Sequence, residues 1–545
     1  MATASFLVCL LSACLLWSAT FTAAAARARG WWPCLVLLAI LVPAFLLLPP
    51  TVVAARLALA PRAPVPVVLP VTGSLLLAAL VGSAWIARAG LHGMGRGAAA
   101  ALDWPVTRLA GACGAAALAA CGIFLALDRS VATAGAGWRH DAAALVAANL
   151  PAASPGAASA AALHRHAAAL LRADRSVSAP DSVLRGGDVR GDATRDLLAR
   201  HGVTLDLVRR AAVHDVCRFD RDWTRPDFTL RLPEIQDLRD EGRLLALAAR
   251  AAAVEGRAAD ALADTIRLHR LASHADGTVL VTHLVALSLR GMARETLGAV
   301  LPRLSPADLP LLDDPALVDL GAPPPGLIAP LLGEEALLLA TCADVATKRT
   351  TLTGLRTELG MGAAGDADGW DVVPDAAYRV FFLPAEAAGI GDLMRRFQVV
   401  AASPDFSTKG LTAWGAAAAT VGTDARLRGP LATRLLPGLG SIENAQVRAE
   451  ALASAVPVAI AATRMRLVTG SLPDSCAALV PRFLGAVPAD PWAVDAPLRI
   501  GAREGGIVIY SVGPDGVDNG GPEVRGEFGI DPGHDDVGLW LVPAT

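Results

Sequence analysis

Four apolar segments open the chain, Phe6–Ala26, Trp31–Ala55, Val67–Ile86 and Leu109–Leu127. Each approaches the ~20 residues a helix needs to cross ~30 Å of hydrocarbon. The third and fourth carry no charged residue, and the second holds Pro33, Pro43, Pro49 and Pro50, which membrane helices tolerate. Composition points the same way. Hydrophobic residues make up 54% of the 545 and charged ones 18%, with mean hydropathy +0.46. A chain exposed only to water would struggle to hide that much apolar surface, so membrane spans are expected.

Residues 1–128 are therefore expected to form a multi-span α-helical membrane anchor with four transmembrane helices in a lipid bilayer. Arg27, Arg29, Arg88, Arg96 and Arg108 make the first and third links the more basic ones. The basic side stays inside, which turns both termini outward in a multi-pass protein of the inner (cytoplasmic) membrane. A cleaved signal peptide is the rival reading of the first segment, with Ala23–Ala26 as its small-residue site. That segment lacks the basic n-region such peptides carry.

From residue 129 to 440 an extracytoplasmic α-helical domain is expected. Leu238, Leu244, Leu245, Leu247 and Ala248 recur at helical spacing. Glu255-Gly256-Arg257 interrupts that pattern, Ala258–Leu271 resumes it, and Val279–Leu301 reads as a third helix. The words EGRAADALAD resemble half of a tetratricopeptide unit, whose stacked helices form peptide-binding grooves. No second copy follows at the period of 34 residues.

Spelled chemistry is scarce. His164 and His166, two apart, point to different faces of a helix and make a poor metal pair. His201, His214, His269, His274 and His283 lack H-E-x-x-H spacing and are expected on the surface or at caps. Glu334 and Glu335 read as a solvated helix start. No C-x-x-C pair, phosphate loop or nucleophile elbow occurs. With a net charge of −3 and no Lys/Arg stripe, nucleic acid is not an expected partner.

After Gly440 the character changes. Ser441 can cap a helix running to about Val468, which Pro457 is expected to kink or divide. Gly470-Ser471-Leu472-Pro473 ends it, and a short helix, Ser475–Val480, follows. Leu498–Ile500 and Ile507–Tyr510 read as strands joined by a turn at Arg503–Gly506. A long helix, G-x-L-P, a short helix, LVPRFLGAVPADPW, a strand pair, YSVGPDGVDNGG and DDVGLW occur in that order. This order resembles the periplasmic part of the major pseudopilin of type II secretion over roughly residues 441–545, a small α+β module.

The resemblance implies a Ca²⁺ site. The matching positions are Asp515 in PDG and Asp536 in DDVGLW, with Asp518 and Asp535 beside them. Independently of it, seven carboxylates lie between Asp515 and Asp536, offset only by Arg525. Ca²⁺ takes six to eight oxygens, and an acidic loop of this kind needs solvent or a cation to relieve its repulsion. An ordinary acidic turn remains the other reading, because Asp-Gly is also a turn signal. The processed, methylated N-terminal helix of pseudopilins is missing, so polymerisation into a pseudopilus is not expected.

Three functions stay open on these residues. The first is a non-enzymatic, membrane-anchored envelope protein that scaffolds or binds partners through its helical domain. The second is a component or accessory of a secretion or pilus-like machine, with envelope or secretion proteins as partners. The third is an envelope enzyme with an unspelled site.

Overall fold

The computed structural model describes residues 96–149, 159–174, 189–223, 226–228, 230–275, 277–358, 373–403, 406, 411–493, 496–523, 530–531 and 534–542. The described chain is mostly helical and closes with one small antiparallel sheet. This overturns the expected fold class, in which a multi-span membrane anchor precedes the helical and α+β parts. Among the described residues only Gly438–Thr469 is long and apolar enough to cross a membrane, and 61% of its apolar window is buried inside the fold. Most of the apolar surface of this helix is packed inside the fold. Of the four expected spans, the first three lie outside the described residues. The fourth falls within one helix, α1 (Arg96–Asn149), that continues well past Leu127.

The chain divides into two compact units. The first comprises Met1–Arg139, Thr341–Ile390 and Val421–Arg434. Within it the backbone of α1 lies so near the helix that ends at Ala346 that a β-carbon on Gly135 would stand 2.5 Å from the Ala346 β-carbon. Ion pairs fix this contact. Arg139 reaches Asp344 at 2.5 Å, and Asp128 pairs with both Lys348 and the buried Arg379. The fully buried Tyr378 donates its hydroxyl to Glu386 at 2.6 Å.

The second unit comprises His140–Ala340, Gly391–Thr420 and Leu435–Thr545. Its first layer holds α2 (Ala161–Ala173), α3 (Asp192–Arg200), α4 (Gly202–Ala211), α5 (Glu234–Val254), α6 (Ala258–Leu271) and α7 (Leu280–Val300). The α5–α6 hairpin turns at Gly256, where φ is +76°, a value glycine adopts without steric cost. Leu238, Leu245, Leu268, Leu271 and Leu289 are fully buried between these helices. Burying each such side chain stabilises the fold by about 1.5–3 kcal/mol relative to exposure.

Short α8 (Pro315–Asp319), the prolines after Ala322, and α9 (Ile328–Ala346) follow. Then come α10 (Leu352–Glu358), α11 (Asp375–Phe381), α12 (Leu383–Ala401), α13 (Leu411–Thr423) and α14 (Pro430–Leu435). In the second unit α12 and α13 meet at Phe397 and Trp414, whose rings lie 4.3 Å apart. The Trp414 indole N–H donates to the Leu439 carbonyl at 2.8 Å.

The tail begins with α15 (Ile442–Thr469), a single helix that Pro457 does not divide. The strands are β1 (Arg499–Arg503), β2 (Gly506–Ser511), β3 (Ile530–Asp531) and β4 (His534–Leu541), in the order β1-β2-β4-β3, all antiparallel. One hydrophobic core joins α7 (Leu297, Val300), α15 (Val456, Ala459) and the sheet (Ile509, Leu539). The expected boundary at 440/441 falls inside this unit. Arg294 of α7, with no exposure, donates to the carbonyls of Leu320, Ala322 and Ala449 at 2.9, 3.0 and 2.8 Å. It thereby ties α7 to the segment after α8 and to α15.

Candidate functional site

Two polar sites stand out, both in the second unit. The first is the acidic loop between β2 and β4. Strand alternation sends Asp535 and Asp536 to opposite faces of β4: Asp535 is exposed and Asp536 fully buried. Asp536 Oδ2 accepts from the backbone N–H groups of Asn519 and Gly521 at 3.2 and 2.7 Å. Its other oxygen, Oδ1, is buried with no hydrogen-bond partner. Burial raises the Asp536 carboxyl above its ordinary range, and the charges of Asp518 and Asp515 add to that rise.

The remaining expected ligands differ among themselves. Asp515 is exposed and its Oδ1 caps the Val517 N–H at 2.9 Å. Asp518 is already engaged: Oδ1 accepts from the Tyr510 hydroxyl at 3.0 Å and from Gly520 N–H at 2.9 Å, and Oδ2 meets Arg499 Nε at 3.0 Å. The structure therefore gathers Asp536, Asp518 and Asp515 about one loop and leaves Asp535 outside it. Gly513 permits the loop's path, with φ at +69°. A β-carbon there would lie 1.9 Å from the Asp535 carbonyl oxygen.

Sequence reasoning passed over Asp490 of the ADPW stretch. This residue is 2% exposed. It accepts from Ser511 Oγ at 2.5 Å, Val512 N–H at 3.0 Å and Trp492 N–H at 3.0 Å. It thus anchors the end of β2, where the acidic loop begins.

The second site lies among α2, α5 and the turn Ala272–Ala275. His164 Nδ1 is 2.6 Å from Glu241 Oε2, and His164 Nε2 is 2.8 Å from His274 Nδ1. His274 Nε2 is 2.8 Å from the His214 carbonyl. His164, Glu241 and His274 are 2%, 0% and 0% exposed, and such depth makes each proton's position consequential. A carbonyl only accepts, so His274 carries its proton on Nε2 and Nδ1 is its acceptor. His164 then donates from Nε2, and its Nδ1 faces the Glu241 carboxyl. A proton must lie between those two groups.

Burial pulls His164 and His274 down to about 4 and drives Glu241 well above the carboxylate range. The proton therefore resides on Glu241, and the three groups form an uncharged chain. Cys217 brings its sulfur within 4.8 Å of ligand nitrogens on both histidines. His166 is exposed on the same helix as His164, as its offset required.

Several expectations about these residues are corrected. His274 and His283 are buried at 0% and 1%, where surface or capping positions were expected, whereas His201, also buried at 3%, does sit at a cap, between α3 and α4. Burial raises Glu334 to about 7, and Glu335 is buried and accepts from Gln398 at 2.6 Å. Neither opens α9 in solvent, because a carboxylate pair in mid-helix faces neighbouring helices. Glu241 had a signal in the sequence: it falls on the apolar stripe marked by Leu238 and Leu245. Arg218–Pro233 anchors a loop, with Phe219 against the helical core and Arg221 bonded to Glu234 at 2.6 Å.

An open cleft of about 710 Å³ between α12 and α13 is lined by Asp392, Arg395, Val399 and Ala416 among others. Asp392 and Arg395 form an ion pair on one wall. Fold and sites together define a helical protein with a small docked sheet and two buried polar clusters. No family model, curated protein or solved structure matches the chain.

Proposed function

We propose that this chain is a non-enzymatic, partner-binding scaffold whose C-terminal loop is stabilised by Ca²⁺ held at Asp536. The observation that carries this reading is the orphaned Asp536 Oδ1, buried without a partner beside Asp518 and Asp515. A buried carboxylate oxygen with no donor is destabilising by about 1–3 kcal/mol or more. A hard cation removes that penalty and also relieves the repulsion from the neighbouring carboxylates. Asp536 and Asp515 are the side-chain ligands, with loop carbonyls and water supplying the remaining oxygens. Asp518 joins them by releasing Arg499.

A calcium requirement suits an extracytoplasmic location, where the ion is abundant and sites of modest affinity fill. Helical surfaces, including the face of α12 that carries the exposed Val399, provide docking area for envelope proteins. The order of tail elements, a long helix followed by an antiparallel sheet and an acidic loop, supports a second reading. In that reading the chain is an accessory of a type II secretion or pilus-like system.

Calorimetric titration of the full chain with Ca²⁺, with Mg²⁺ as control, tests the calcium reading. One Ca²⁺ site, absent from Asp536→Asn and weakened in Asp515→Asn, is expected. Equal heats in the wild-type chain and Asp536→Asn would contradict it. Co-purification with pseudopilins separates the accessory reading from a general scaffold.

A further inference from the structure

We propose that His164, His274 and Cys217 bind Zn²⁺, with Glu241 as the carboxylate that orients His164. The argument starts from the far nitrogens of the two histidines. Glu241 holds His164 Nδ1 at 2.6 Å, and the His214 carbonyl holds His274 Nε2 at 2.8 Å. Metal-ligating imidazoles are held in this way, by a carboxylate or a carbonyl on the nitrogen that does not bind. What remains, His164 Nε2 and His274 Nδ1, converges at 2.8 Å with the rings near perpendicular at 71°. Cys217 Sγ stands within 4.8 Å of these atoms.

Few adjustments separate this arrangement from a coordination shell. Two nitrogens on one tetrahedral Zn²⁺ stand ~3.3 Å apart, given Zn–N bonds of about 2.0–2.1 Å. The histidines therefore need to part by only ~0.5 Å to admit the ion in place of their mutual hydrogen bond. Cys217 sits in the irregular segment after α4, which carries the thiol inward without moving a helix. It is also the least buried of the three ligands, so it marks the side from which an ion enters. A thiolate with two imidazoles selects a borderline-soft ion over Ca²⁺ or Mg²⁺, so this site is distinct in chemistry from the acidic loop. Water completes the fourth position.

The buried carboxyl fits the same scheme. Glu241 Oε1 has no hydrogen-bond partner, an uncomfortable state for a residue with no exposure. On metal binding His164 takes its remaining proton onto Nδ1 and donates it to an ionised Glu241. Cys217 gives up its thiol proton, and His274 keeps the proton on Nε2. The cluster thus releases two protons, and the two charges so formed, one carboxylate and one thiolate, balance the dication. The ion would cross-link α2, the segment after α4 and the turn before α7, which are far apart in sequence.

The test uses the full chain, stripped with a chelator and titrated with Co²⁺ as a spectroscopic probe and then with Zn²⁺. A single Co²⁺ equivalent should give a sulfur-to-metal charge-transfer band and tetrahedral visible bands, both abolished by one equivalent of Zn²⁺. Cys217→Ser should lose the charge-transfer band, and Glu241→Gln should weaken affinity about 10–100-fold. His166→Gln, exposed on α2, should leave the titration unchanged. A charge-transfer band that persists in Cys217→Ser, or a wild-type chain with no Co²⁺ bands, would overturn the site. His274→Gln can misfold, but the partly exposed Cys217 keeps the assignment falsifiable.

Discussion

Gly298 of α7 and Trp540 of β4 meet backbone to backbone: a β-carbon on Gly298 would lie 2.3 Å from the Trp540 carbonyl oxygen. The sheet can approach α7 this closely only because residue 298 has no side chain. Gly298→Ala must push the strand outward, since no rotamer change relieves a clash with a carbonyl. A loss of about 1–3 kcal/mol is expected, read as a lower urea midpoint. Gly415→Ala on α13 is the control, because nothing lies within 4 Å of its added methyl. That substitution should stabilise the chain by up to about 1 kcal/mol through helix propensity.

Arg294 holds three backbone carbonyls from two segments while fully buried, and burial lowers its guanidinium to about 9. Arg294→Met fills similar volume but strands those three acceptors away from water. A destabilisation of about 3–5 kcal/mol is expected, with faster hydrogen exchange in 320–322 and around Ala449. Wild-type exchange at those amides would refute the role.

Glu386 supplies a pH dependence with a definite sign. Burial raises it from 4.5 to about 7, against the donors Ala432 N–H and Tyr378 hydroxyl. The folded chain therefore keeps a proton that the unfolded chain sheds above pH 4.5. Its stabilisation is full below that pH and is lost as pH rises toward 7, by up to about 1.4 kcal/mol per unit. The buried histidines, lowered by burial, act oppositely and lose stability as pH falls below 6.5. The difference between wild-type and Glu386→Gln urea midpoints isolates the carboxyl. That difference should shift between pH 5 and 7.5, and a constant difference would show that Glu386 does not titrate there.

The helices α5, α6 and α7 were legible because Leu238, Leu245 and their neighbours repeat at helical spacing and Gly256 breaks the run. The β1–β2 hairpin was legible from Ile507–Tyr510 and its glycine turn. Of the expected membrane anchor, the first three spans lie outside the described residues, and the fourth runs on past Leu127 within α1, with Ile123 and Leu125 exposed. Hydropathy measures preference for an apolar surrounding and cannot tell whether lipid or protein provides it. Helix α15 shows this: it is long and apolar enough to cross a membrane, yet Val456, Ala459 and Ala462 pack in the core with α7 and the sheet. Pro457 was expected to kink or divide that helix, and it lies inside a single undivided one.

The acidic loop was found by local charge density, yet the separation of Asp535 from Asp536 needed the register of β4. The cluster of His164, His274, Cys217 and Glu241 had no local spelling. Its members sit on four segments that only tertiary packing brings together, so no spacing rule reaches them. The one trace was an acidic residue on the buried stripe of α5.

The most direct measurement of the calcium reading is thermal melting of the full chain with excess Ca²⁺ or with chelator, for wild type and Asp536→Asn. Calcium at 100 times its Kd should add about 2.7 kcal/mol to the wild-type chain, seen as a higher melting temperature that Asp536→Asn fails to show. Identical wild-type melts with Ca²⁺ at saturating concentration and with chelator would contradict the site and leave the loop an acidic turn.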